Sequence, residues 1–116
     1  MYRIAALSLI IISLLIGGCG DRYKTKEELL KKGGQFLSAR NPNAAIVLFK
    51  KALDKDPTFF EARLQLAKAY LEVGKLDSAE KELQKAVRQN PSSKAVRLEL
   101  GRVYLLNSKP DEALKE

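Results

Sequence analysis

The stretches Ala44–Pro57 (AAIVLFKKALDKDP) and Ser78–Pro91 (SAEKELQKAVRQNP) are one element written twice, 34 residues apart. Ala45 recurs as Ala79, Ala52 as Ala86 and Pro57 as Pro91. Upstream, Phe36 recurs as Tyr70 and Tyr104, and Gly33 as Ala67 and Gly101. A fixed period of this length is the signature of a helical hairpin repeated along the chain. Each copy buries against the next an apolar face that it cannot bury alone.

Within copy one, Thr25-Lys26-Glu27-Glu28 has the form of a capping box and predicts a helix start. Leu29, Gly33 and Phe36 then fall on one stripe, with Leu30 and Leu37 beside it, until Arg40-Asn41-Pro42-Asn43 breaks the run. Pro42 suits the first turn of a second helix, expected from about Pro42 to Asp54 and carrying Ala45, Leu48, Phe49, Ala52 and Leu53 on one face. Small Ala45 and Ala52 allow two backbones to approach where the helices cross, and Gly33 removes a side chain at the same crossing.

Copy two opens with Thr58-Phe59-Phe60-Glu61, read as a second capping box, and runs through Leu66, Ala67 and Tyr70 to a stop at Gly74. Its second helix is expected from about Leu76 to Gln89, packing Ala79, Leu83, Ala86 and Val87, with Asn90-Pro91 ending it. Copy three supplies a first helix, about Ser93 to Leu106, with Leu100, Gly101, Val103 and Tyr104 inside. Its second helix begins at Pro110, seven residues from Glu116. So short a helix is marginal, which predicts fraying there and a poorly covered stripe on the helix before it. With no polar-faced cap at that end, an N-terminal piece of a longer repeat protein, or a product cut short, is expected.

The residues as well as the period resemble the tetratricopeptide repeat, whose pattern is W-x2-L-G-x2-Y, then A-x3-F, then P. Leu100-Gly101 with Tyr104 gives the first half, and Ala45, Phe49 and Pro57 the second. Departures are Leu29, Arg63 and Arg97 at the Trp position, Lys32 at the first Leu position, and Leu83 at the Phe position. The resemblance covers roughly Lys26 to Glu116. It implies an all-α solenoid of antiparallel helix hairpins, with two full repeats (26–59 and 60–93) and a partial one (94–116), after an N-terminal signal helix.

Met1 to Gly18 reads as a secretory signal, with one charge at Arg3 and an apolar run from Ile4 to Ile16 too short for a comfortable membrane span. Ile16-Gly17-Gly18-Cys19 resembles the lipobox of bacterial lipoproteins, in which the leader is cut before a cysteine that becomes acylated. An uncleaved anchor and an ordinary cleavage with a coincidental cysteine are the alternatives, and all three export the rest of the chain. The resemblance implies more than one acyl chain on Cys19, hence lasting attachment to the membrane. Residues 19–25 form the lipidated cysteine and a short polar tether. Gly20, not Asp, follows the cysteine, which favours the outer over the inner membrane, although Asp21 is close.

The net charge of +7 invites a nucleic-acid partner. The cations, however, are interleaved with acids, as in Ala79-Glu80-Lys81-Glu82, and no aromatics alternate with them as a base-stacking platform needs. A solvated surface is the better reading, and no nucleic acid is expected. Histidine and tryptophan are absent and Cys19 is the only cysteine, which removes most metal, thiol and imidazole chemistry. The pairs Glu27-Glu28, Asp54-Asp56 and Glu80-Glu82 do not share a site at helical spacing and are read as solvated charges. Gly33-Gly34 follows no strand and so is no phosphate loop. Neither an enzyme, a cofactor nor a small-molecule substrate is expected.

In the tetratricopeptide family the first helices of successive repeats line a groove for peptides or partner helices. Carried over by register, the groove here has Glu27, Leu30, Lys31, Gly34 and Leu37, then Glu61, Leu64, Gln65, Lys68 and Leu71, then Leu98, Glu99, Arg102 and Leu105. Leu30, Leu64 and Leu98 share one position and are expected to pack repeat against repeat. Lys31, Gln65, Lys68, Glu99 and Arg102 are the candidates for recognition, with a positive groove floor. The family's charged clamp for a C-terminal carboxylate uses Lys and Asn where this chain has Leu30 and Gly34, so a chaperone tail is not implied. The leader, Cys19 and the first repeats are similar to repeat lipoproteins of exosortase (PEP-CTERM) and exopolysaccharide systems. A membrane-tethered scaffold for protein partners in the bacterial envelope is the expected function. The alternative is a basic surface for an acidic polysaccharide or anionic headgroups.

Overall fold

The computed structural model describes residues 25–116, so the leader, Cys19 and most of the tether lie outside the described residues. Six helices follow one another: α1 Lys26–Ser38, α2 Pro42–Lys55, α3 Phe60–Glu72, α4 Leu76–Gln89, α5 Lys94–Leu106 and α6 Pro110–Lys115. The three predicted hairpins are all present, with ends within one or two residues of those read from the sequence.

Each first helix stops by the same backbone device. Arg40, Gly74 and Ser108, spaced by the repeat, take left-handed φ values of 58°, 75° and 57°. The amide after each donates to the carbonyl five residues back, Asn41 to Phe36, Lys75 to Tyr70 and Lys109 to Tyr104, at 2.7–2.9 Å. This closure satisfies carbonyls that the helix end would otherwise leave orphaned. Only Gly74 reaches that conformation without a Cβ clash.

The starts are less uniform. Thr25 makes the capping box with Glu28, as read, and Ser93 accepts from the Val96 amide at 3.4 Å. Thr58 does not cap: α3 begins at Phe60 with Phe59 at the cap position and no side-chain hydrogen bond there. Instead the Thr58 hydroxyl and amide both donate to Asp56 Oδ1, at 2.7 and 3.0 Å, closing an Asx turn across Pro57. The acid two residues upstream competes for the threonine and wins.

Burial follows the stripes. Leu29, Leu48, Ala52 and Ala62 form one cluster and Ala45, Phe49, Leu66 and Ala69 a second, together joining α1 and α2 to α3. A third cluster, including Leu64, Ala79, Leu83, Val96, Leu100 and Val103, joins α3 and α4 to α5. Gly33 is buried, and a Cβ there would lie 2.5 Å from Phe49 Cε1, so close crossing of α1 and α2 requires the glycine.

The departures at the Trp position follow a rule of their own. The residue there faces the one 19 positions on, on the paired helix or, in repeat three, at its C-terminal cap. In repeat one the two are Leu29 and Leu48, both in one apolar cluster. In repeat two they are Arg63 and Glu82, joined Nη1 to Oε2 at 2.5 Å, and in repeat three Arg97 and Glu116, joined at 3.0 Å. Each arginine also donates to the proline carbonyl six residues earlier, Arg63 to Pro57 at 2.6 Å and Arg97 to Pro91 at 2.7 Å. Arg63 is buried and donates through Nε to Gln89 Oε1 as well.

Glu82 is therefore a half-buried structural partner and not the solvated charge expected. The same correction applies to Glu80, which accepts from Lys109 Nζ at 2.9 Å and Asn107 Nδ2 at 3.2 Å and so ties α4 to the α5–α6 turn. Asp56 is corrected too, since it pairs with Lys26 across the α1–α2 hairpin. These pairings rest on tertiary proximity that neighbour spacing along a helix does not report.

The short α6 also departs from expectation. It packs on α5, and Leu100, Val103 and Tyr104 are buried, not poorly covered. At Gly101 a Cβ would meet Ala113 O at 3.6 Å, an ordinary contact, so the α5–α6 packing does not depend on the glycine. The uncovered apolar side chains are others: Leu98 (73% exposed), Leu105 (65%), Leu106 and Leu114.

Candidate functional site

The helices form two rows. The first helices touch directly, α1 with α3 and α3 with α5, whereas among the described residues α2 makes no contact with α4, nor α4 with α6. A row held closer on one side than the other curves toward the close side, which makes the first-helix face the concave one.

On that face lies a cleft of about 790 Å³ lined by Leu30, Lys31, Gly34 and Leu37 of α1, by residues of its C-terminal turn, and by Glu61 and Gln65 of α3. All six of these were placed in the groove by register. Gln65 Nε2 donates to Glu61 Oε1 at 3.0 Å, one turn away, which fixes the amide at the cleft wall.

Glu99 and Arg102 are brought together elsewhere. With Leu98, Leu105 and Leu106 they line a separate space of about 600 Å³ against Ala113 and Glu116. Arg102 Nη1 stands 3.9 Å from Glu99 Oε2, a buried atom that has no hydrogen-bond partner. Lys68 lines neither space. The five recognition candidates are thus divided between two surfaces, with Lys68 between them.

Two expectations are corrected here. Leu64 packs between repeats (6% exposed) and Leu30 is half-buried, but Leu98 at the same register is exposed, since among the described residues no following first helix packs against α5. The groove floor is mixed and not positive, since Lys31 shares its cleft with Glu61, and Arg102 lies beside Glu99. The clamp positions are as read: Leu30 and Gly34 offer no donor for a terminal carboxylate. The arginine–glutamate pairs were missed, although their recurrence 19 residues apart in two repeats is a sequence signal by which they can be found.

Among the described residues no cluster of three or more potential metal ligands occurs, and no helix is long and apolar enough to cross a membrane.

A family model described as "Tetratricopeptide repeat" matches residues 36–93 and 74–116, and the chain belongs to that family. The solved structures agree. A crystal structure of MamA superposes with a TM-score of 0.75 at 31% identity, over 78% of this chain and 53% of that one. The first such domain of Spaghetti (RPAP3), bound to the HSP90 peptide SRMEEVD, gives 0.77 at 26% identity, over 84% and 78%. YrrB, described as having an unusual peptide-binding site, gives 0.75 at 20% identity, over 79% and 47%, and bears on the fold alone. The chain spans about half the length of MamA. No curated protein matches. Tetratricopeptide arrays are interaction scaffolds, and the chain has the fold of one.

Proposed function

We propose that this protein is a lipid-anchored scaffold of the bacterial envelope that holds a protein segment in the cleft between α1 and α3. The observation that carries this is the cleft itself, in which residues of α1 from Leu30 to Ser38 and Glu61 and Gln65 of α3 line one concave space. The peptide-bound relative of the same fold supports a peptide as the occupant. The lipobox resemblance at Ile16–Cys19 supports acylation of Cys19, with the outer membrane favoured and the array held facing the periplasm. The likeness to exosortase-system and exopolysaccharide-system lipoproteins supports a place in export or assembly of surface material. No catalysis is assigned to it.

A photo-crosslinking residue at Gln65 should yield one discrete adduct in membranes, and one at Lys51, on the outer row, none. Equal labelling at both positions contradicts the reading. The basic alternative separates by salt, because an acidic polymer held by scattered lysines is released steeply as ionic strength rises, whereas a segment seated in a cleft is not. Cys19→Ser should move the chain from detergent to aqueous phase; unchanged partition contradicts the anchor.

A further inference from the structure

Two adjacent glycines sit inside α1, and the fold explains one of them. Gly33 is required by the Phe49 ring. A Cβ on Gly34 would meet nothing within 4 Å, and Gly34 has no positive φ that a side chain would strain. Glycine inside a helix destabilises it relative to alanine through backbone entropy, so Gly34 is costly with no return within the chain. Glycine also permits close approach of a ligand to the backbone. Gly34 lines the cleft, and Leu30 and Leu37, four residues before and three after, lie on the same helix face. Repeats two and three carry Lys68 and Arg102 at this register, so bare backbone is presented only in repeat one.

We propose that Gly34 is the floor of a docking site for a bulky apolar side chain of a partner peptide, with Leu30 and Leu37 as its walls and a neighbouring carboxylate of the peptide meeting Lys31. This rests on the cleft reading above and adds the chemistry of the occupant. Lys31 is exposed, lines the same cleft and makes no ion pair among the described residues. It supplies the charge complement. Leu30 and Gly34 in place of the carboxylate clamp direct the site toward an internal apolar anchor and away from a chain terminus.

The test uses the full chain in detergent micelles and a fluorescein-labelled acidic pentapeptide with central leucine, read by anisotropy. A version with central alanine should bind at least tenfold more weakly. Gly34→Leu should weaken the leucine peptide at least tenfold, and Gly34→Ala should raise the melting temperature. Lys31→Gln should weaken binding of this acidic probe but not of a neutral one. A lowered melting temperature in Gly34→Ala would overturn the proposal, since the fold would then need the glycine. Undiminished binding to Gly34→Leu together with a loss in Gln65→Ala would overturn it while leaving the cleft reading intact. A peptide that binds nowhere overturns both, and equal displacement by octanoate would make the occupant an acyl chain and overturn the peptide assignment.

Discussion

Replacing Arg63 by leucine tests the finding that the Trp position works as a pair with the residue 19 positions on. Arg63 is buried, and its guanidinium donates to Glu82, Gln89 and the Pro57 carbonyl at 2.5–3.1 Å. Removing it leaves the half-buried Glu82 carboxylate with only Lys85, 3.5 Å away, as counter-charge, and orphans the Pro57 carbonyl. Breaking one side of a buried pair costs about 3–5 kcal/mol, and hydrogen bonds to charged groups contribute roughly 1.5–3 kcal/mol. Because both side chains keep some solvent contact, the expected loss is about 2–4 kcal/mol. At roughly 4–8 °C per kcal/mol for a domain of this size, the melting temperature should fall by about 8–32 °C. The double variant Arg63→Leu, Glu82→Leu recreates the Leu29–Leu48 arrangement of repeat one and should lie within about 1 kcal/mol of the parent. Urea or thermal unfolding of the two single variants and the double variant closes the cycle. A coupling energy below about 0.5 kcal/mol would refute the pairing.

Gly33→Ala should destabilise by about 1–3 kcal/mol, because its methyl group would overlap the Phe49 ring and force the α1–α2 crossing apart; an unchanged urea midpoint would contradict that packing. Arg40→Gly should stabilise by about 1 kcal/mol, since φ at Arg40 is 58° and glycine alone takes that conformation freely. The carboxyl of Asp56 is lowered to about 2 by its hydrogen bond from Lys26 and then by Thr58. A depressed folded-state value contributes stability above the ordinary carboxylate range that is lost as pH falls from about 4 to about 2. Stability measured across that window should fall less steeply in Asp56→Asn than in the parent.

The helices were legible because 34-residue spacing and 3.6-residue stripes are both local records of burial, and proline and glycine mark the joints. The cap at Thr25 was legible for the same reason, since Thr25 and Glu28 stand at capping-box spacing just before the apolar stripe begins. Thr58 was misread where the local pattern held two partners for one hydroxyl, Asp56 upstream and the helix amides downstream. Arg63 and Arg97 looked like decay of a motif because a sequence of residue types does not show that a cation and an acid 19 positions apart are face to face. The lining of the α1–α3 cleft followed from register alone. The separation of Glu99 and Arg102 from it did not, because at the same register on α5 the facing wall is Ala113 and Glu116, a tertiary arrangement that spacing along the chain does not report.

The central claim, that the first-helix face receives a protein segment, is tested most directly by hydrogen–deuterium exchange of the membrane-reconstituted chain with and without the partner crosslinked through Gln65. The account predicts added protection in 26–38 and 60–72, with 42–55 and 76–89 unchanged. Protection on the second helices, or spread evenly over all of them, would contradict it.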